Sequence, residues 1–219
     1  MTLTTRPLPR AARRPHLRAA ARAAAIVSIT ASVLAGLQGC VAVVGGAAVG
    51  GALMMTDRRS SGAQIEDESI ELKSGGKIQG AIGDRGHVNV TSYNRIVLVT
   101  GEVPTEDDKT AVIAAIRGIE NVANVDDELL VGPSASMSTR SSDAYITSKV
   151  KAAFVDAKDI QSNAFKVVTD RGNVYLMGRV TEREATRAAE IARSTSGVMK
   201  VVRVFEILSE AELANLQNK

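Results

Sequence analysis

The side chains able to do chemistry are few, and their spacing limits what they can do. Cys40 is the one cysteine, and His16 and His87 are the two histidines, in 219 residues. A lone thiol cannot close an intramolecular disulfide, and so few soft ligands do not make a zinc cluster. A cysteine nucleophile would need a histidine beside it. His87 follows Gly86 at the start of a β-rich run, where an exposed turn residue is expected rather than a base. Carboxylates gather at Glu66-Asp67-Glu68, Glu106-Asp107-Asp108 and Asp126-Asp127-Glu128. Such runs read as solvated faces or helix caps, and the second falls in the first turn of an expected helix, where negative charge suits the dipole. No catalytic pair assembles, so the reading is non-enzymatic, with no catalytic residue, no metal and no cofactor.

The net charge of +3 would invite a nucleic-acid reading, but its distribution argues against one. Residues 1–39 hold six arginines and no acid, leaving 21 basic against 24 acidic groups, net −3, in residues 40–219. Three Tyr, three Phe and no Trp do not make stacking platforms interleaved with bases, so no nucleic acid is expected as partner. With 45% hydrophobic residues, a core of Val, Ile, Leu and Ala is within reach.

The N-terminus reads as a targeting segment. After Arg22 comes an uncharged apolar run, Ala23 to Leu34, and then Leu37-Gln38-Gly39-Cys40, the order of an export signal. The tetrapeptide resembles the lipobox of bacterial lipoproteins. That resemblance implies a signal peptide over 1–39 and a mature chain that begins at a lipidated Cys40. It also implies outer-membrane sorting, because Val41 rather than Asp follows the cysteine. An uncleaved anchor is the alternative, since residues 23–55 carry no charge and exceed the roughly 20 residues needed to span a bilayer. Gly45, Gly46, Gly50 and Gly51 suit a small-residue tether over 40–65 better than a lipid-facing helix.

Stepping the chain along itself by 77 residues sets Ile96-Val97-Leu98-Val99-Thr100-Gly101 on Asn173-Val174-Tyr175-Leu176-Met177-Gly178, and an offset of 76 sets Val122, Val125 and Leu129 on Val198, Val201 and Phe205. Two copies of one domain are expected, at 66–132 and 143–208, with a linker at 133–142 and a tail at 209–219. In the second copy, Ile146, Val150, Ala153 and Phe154 recur at helical spacing, so it opens with an amphipathic helix. Phe165 to Thr169 and Val174 to Met177 are β-rich runs around a turn, Asp170-Arg171-Gly172-Asn173. Thr181-x-x-Glu184 is a capping box for a second helix with a stripe of Ala185, Ala188, Ala189 and Ala192; Gly197 is placed to end it, and Val201 to Leu208 forms a last strand. The first copy repeats the order, with Thr105-x-x-Asp108 as cap and Val112, Ala115, Ile116 and Ile119 as stripe. The fold class is α/β, an α+β sandwich of two tandem α-β-β-α-β units, each a three-stranded sheet covered by two helices.

A Gly late in the second strand (Gly101, Gly178), a capped helix, and Gly197-Val198 before the third strand resemble the BON domain family. Together with Leu37-Gln38-Gly39-Cys40-Val41, Thr56-Asp57-Arg58-Arg59-Ser60 and Asp143-Ala144-Tyr145-Ile146-Thr147-Ser148-Lys149-Val150, the chain is similar to the dual BON-domain outer-membrane lipoproteins of Gram-negative bacteria. The resemblance implies a lipid-anchored, periplasm-facing protein that binds anionic phospholipid and supports outer-membrane integrity. The first copy departs from the pattern: Gly75, Gly76, Gly80 and Gly83 each cost about 1 kcal/mol in a helix interior, so a short or frayed opening helix is expected there.

Charge divides the copies. Residues 66–132 hold six basic and 13 acidic side chains, net −7, and residues 143–208 hold 11 and eight, net +3. The second copy is therefore the expected reader of an anionic phospholipid surface and the first a spacer or docking surface. The alternative is that opposite charge docks the copies together into a rigid periplasmic scaffold or adaptor for protein partners, such as outer-membrane assembly proteins. The expected phospholipid-binding residues are Tyr145, Lys149 and Lys151, which flank the buried stripe of the opening helix, with the Tyr ring among headgroups and the ammonium groups on phosphate. The resemblance adds an aromatic at that place in the lipid-contacting region of the related lipoproteins. Against it stands the ordinary alternative that Tyr145 caps the edge of the core. Oligomeric state is left open by the sequence, and residues 209–219 carry no motif.

Overall fold

The computed structural model describes residues 57–217; the signal segment, Cys40 and the expected tether up to residue 56 lie outside the described residues. In chain order the elements are α1 (Ser61–Ile82), β1 (His87–Tyr93), β2 (Ile96–Val103), α2 (Glu106–Arg117), β3 (Asn124–Val131), α3 (Met137–Asp156), a 3-10 turn (Ser162–Ala164), β4 (Phe165–Asp170), β5 (Asn173–Val180), α4 (Glu182–Ser194), β6 (Lys200–Ile207) and α5 (Glu210–Gln217). The α-β-β-α-β order occurs twice, as expected. In each copy the first two strands form an antiparallel hairpin and the third lies parallel to the second, giving sheet orders β1-β2-β3 and β4-β5-β6.

The hairpins turn through two consecutive left-handed residues, Asn94 and Arg95 (φ 50° and 68°) and Arg171 and Gly172 (φ 48° and 74°). That backbone matches the twist of the flanking strands. It strains Arg95, and the structure answers with Asp67 on α1, whose carboxylate accepts from the N–H groups of Asn94 and Arg95 at 2.7 Å each. Asp143 on α3 does the same for Arg171 and Gly172. Reading Glu66-Asp67-Glu68 as a solvated run is thus corrected at its middle residue, which is buried.

The two N-caps read from the sequence, Thr105 and Thr181, are both present. Thr181 and Glu184 form the reciprocal capping box on α4, and Ala185, Ala188, Ala189 and Ala192 are buried as its stripe. Gly197 (φ 96°) lies in the turn beyond α4, which already ends at Ser194, so it shapes the approach to β6 and does not cap the helix. Thr105 caps α2, and Val112 and Ile116 are buried, joined by Ile113 and by Ile119 just past its end. Two boundaries differ from expectation. The helix α1 is neither short nor frayed: it runs 22 residues through Gly75, Gly76 and Gly80 to a cap at Gly83. Ile70 and Ile82, packed in the core of the first copy, hold it, because tertiary packing outweighs local propensity. The helix α3 opens at Met137, inside the expected linker, because the Ser136 hydroxyl accepts from the Thr139 N–H and caps it.

Each sheet is buried on both faces. Val97, Val99, Val125 and Leu129 pack under α1 and α2, while Val167, Val174, Leu176 and Phe205 pack under α3 and α4. The alternate residues, Tyr93 and Leu98 of one copy and Tyr175 and Met177 of the other, form a third cluster between the two sheets. The result is four layers: helices, sheet, sheet, helices. Unbroken apolar runs such as Val174-Tyr175-Leu176-Met177 are the sequence mark of strands covered on both sides. None of the described helices is long and apolar enough to cross a membrane.

Candidate functional site

The expected site residues all lie on α3, the opening helix of the second copy. Ile146, Val150 and Phe154 lie in the core of that copy, which fixes the rotation of α3 and turns Tyr145, Lys149 and Lys151 outward. Tyr145 is 66% exposed, so it does not cap the core, and that alternative is set aside. The Lys149 ammonium lies 4.8 Å from the centre of the Tyr145 ring and donates to the Ser196 carbonyl in the turn before β6. The ammonium is thus held between a π face one helical turn back on α3 and a carbonyl from a distant turn. Lys151 is exposed as well, two residues on and so about 200° round the helix from Lys149. The three expected residues are therefore all on the outer surface of α3, with Tyr145 and Lys149 in contact.

The turn that receives Lys149 adds a group that sequence reasoning missed. Met199 is 81% exposed, its N–H bonded to the Gly172 carbonyl, and its side chain lies over Gly172 beside Gly197. An exposed Met between Val198 and Lys200, after a Gly that turns the chain, is a visible signal in hindsight. The surface thus offers an exposed aromatic with Lys149 against its ring, and an exposed thioether at the turn beyond the Lys149 carbonyl partner. Such a surface can enter a headgroup layer and pair with phosphate.

The other charged clusters are structural. The Arg58 guanidinium makes two 2.7 Å bonds to the Glu184 carboxylate and one of 3.0 Å to the Arg179 carbonyl. Burial pushes the Glu184 carboxyl up, but the bonds from Arg58 and the Thr181 N–H outweigh it and hold the group below the usual range. Arg59 bonds Asp57 and Asp67 and lies 4.2 Å over the Tyr93 ring. Burial likewise pushes Asp67 up, and its bonds from Ser92, Arg95, Arg59 and Asn94 bring it below the ordinary value. His87 is not the free turn residue expected: it begins β1, half-buried, with Nδ1 4.0 Å from the buried Glu102 carboxylate, whose other oxygen accepts from Arg171. The acidic run Asp126-Asp127-Glu128 lies on β3, where Asp127 pairs with Lys109 at 3.3 Å.

The model of the BON domain matches residues 67–133 and 142–209. Outer membrane lipoprotein DolP of Haemophilus influenzae is 43% identical over 176 residues, covering 78% of this chain and 90% of that protein. The 21 kDa hemolysin of Actinobacillus pleuropneumoniae is 30% identical over 151 residues, 68% of this chain and 78% of its own. Osmotically-inducible protein Y of Escherichia coli is 26% identical over 145 residues, 63% and 70% of the two chains. Among solved structures, CdsD, a structural protein of the type III secretion system of Chlamydia trachomatis, aligns at a TM-score of 0.28 and 11% identity over 64% of this chain and 95% of that one.

Proposed function

The chain belongs to the BON domain family, and on that premise we propose that it is a non-enzymatic outer-membrane lipoprotein, anchored through Cys40 and facing the periplasm. Its second BON domain binds anionic phospholipid through Tyr145, Lys149 and Lys151, and the protein supports outer-membrane integrity. The similarity to a protein named outer membrane lipoprotein supports the location. The observation that carries the lipid reading is Tyr145, 66% exposed with Lys149 against its ring on the helix of the more basic copy. Two acyl chains give stable attachment where one gives only marginal binding, so the protein-borne contact acts by orienting a molecule already held at the surface.

The test is vesicle flotation of residues 40–219 carrying Cys40→Ser. Binding is expected to vesicles containing phosphatidylglycerol and not to pure phosphatidylcholine. Each lysine near an anionic surface contributes about 1 kcal/mol, so Lys149→Glu with Lys151→Glu lowers affinity by about tenfold or more. Tyr145→Ala lowers affinity and leaves Tm near that of the parent. Binding that survives the charge reversal at low salt removes this site. For the anchor, mass spectrometry of the mature chain decides: an unmodified Cys40 or a retained leader ends the lipoprotein reading.

A scaffold for protein partners is the second reading, favoured by the docking of the two copies across Tyr93, Leu98, Tyr175 and Met177. It predicts no lipid dependence in flotation.

A further inference from the structure

The outer face of α1 does not have the composition of a solvated helix. Ile65 and Leu72 are 69% and 82% exposed, one heptad apart, beside a shallow groove along Glu68, Ser69 and Glu71. The same seven-residue step links Ser69 to Gly76, so a row of large side chains runs alongside a row of small ones. Gly75, Gly76 and Gly80 have open space where a side chain would stand. Glycine disfavours a helix interior, and no contact within the described chain needs it at these places. Charge divides the helix as well: from 61 to 71 it carries acids and no base, and from 72 to 82 it carries Lys73 and Lys77 and no acid.

We infer that this face of α1 is the contact surface of an antiparallel homodimer, occupied by a second copy of the same chain. A twofold axis that sets Ile65 opposite the partner's Gly76 sets Leu72 opposite the partner's Ser69, so each large side chain seats on a small one and the backbones come close. Glu66, Lys73 and Lys77 share one flank of the helix, at spacings of seven and 11 residues; one Glu66 oxygen accepts from Asn121 at 3.0 Å, and the other is the one offered to the partner. In this register Glu66 is level with the partner's Gly75, about 3 Å along the axis from both Lys73 and Lys77 of the partner. Opposite charges therefore meet on both sides of the axis. Parallel pairing in register would set Glu66 on Glu66 and Lys73 on Lys73. The pattern complements itself only when reversed, which is what selects a second copy over an unrelated partner. A single helix pair is smaller than the roughly 1,200 Å² of a stable interface. The dimer is accordingly weak in solution and strengthened when two copies share one surface. It stands independently of the lipid reading.

Sedimentation equilibrium of residues 40–219 with Cys40→Ser, over a concentration series, tests it. A reversible monomer–dimer equilibrium is expected. Gly76→Leu fills the small row and weakens the dimer about tenfold or more while Tm rises or holds, so its effect is not loss of folding. Glu66→Lys weakens it as well, and adding Lys73→Glu and Lys77→Glu to that variant restores it. A chain that stays monomeric throughout, a dimer indifferent to Gly76→Leu, or a triple variant that fails to recover would each overturn the inference.

Discussion

Arg58 and Glu184 show how one residue outside both repeats is bound into the fold. Their side chains are each 5% exposed, and a buried ion pair adds little net stability because desolvation offsets attraction. Removing one partner is different, since it leaves a buried charge alone, at about 3–5 kcal/mol. Arg58→Ala is expected to lower the unfolding free energy at pH 7 by that amount in urea denaturation. The pH dependence has a definite sign. The Glu184 carboxyl is lowered in the folded state from 4.5, so its contribution is full above that value and is lost as pH falls through the folded one. The gap between parent and Arg58→Ala should shrink below pH 4.5, because the orphaned carboxylate becomes neutral. A gap that stays constant from pH 7 to pH 3 would show that packing, not charge, holds Arg58. Asp57, Arg58 and Arg59 were legible in sequence only as part of a resemblance. Their partners lie as far as 126 residues away, and no local pattern reports that.

At the scale of elements, two kinds of glycine look alike in sequence and differ in structure. A Cβ on Gly178 would stand 2.4 Å from the Ala164 carbonyl oxygen, and one on Gly101 would stand 2.0 Å from that of His87. Both mark the place where the first strand of a sheet starts too close to the second for a side chain. Gly178→Ala is expected to cost about 2–3 kcal/mol as backbone shifts to make room, whereas Gly75→Ala, in open space, gains up to about 1 kcal/mol. Thermal denaturation of the two variants side by side checks this, and equal Tm values would refute it. Much of the candidate site was legible at this scale. The 3.6-residue recurrence of Ile146, Val150 and Phe154 sets the phase of α3, and Tyr145, Lys149 and Lys151 follow from it. Met199 did not follow, because it is exposed by a turn whose path is set by contacts with Gly172.

Across the whole molecule, two forces could dock the copies, and their magnitudes differ. Lys166 pairs with Glu71 at 2.8 Å with both side chains about one-third exposed, a contact of about 0–1 kcal/mol. Tyr93, Leu98, Tyr175 and Met177 are nearly fully buried between the sheets, at about 1.5–3 kcal/mol each for Leu98 and Met177. The apolar layer therefore outweighs this exposed pair; the Arg171–Glu102 pair is different, because Glu102 is buried and removing Arg171 would leave its charge alone. A single copy on its own would expose this layer, so division of labour between the copies is tested in the intact chain. The parent is expected to unfold in one cooperative step, and Met177→Asp, which puts a charge into the layer, to split it into two. Tyrosine emission reports the event, since two of the three Tyr lie in the layer. One undivided transition in Met177→Asp would mean that the copies are coupled by some other contact.

Repeat, element order, the Thr105 and Thr181 caps and the exposed face of α3 were set by the sequence alone, because periodicity, capping and charge act within a few residues and leave their pattern on the chain. Tertiary structure alone decided that Asp67 and Asp143 hold the hairpins, that α1 persists through its glycines, that Arg58 reaches Glu184, and that the sheets meet face to face. Those outcomes depend on groups far apart in the chain being brought within 3 or 4 Å and shielded from water, where a carboxylate or a methyl group acquires an energy that its neighbours in sequence cannot predict.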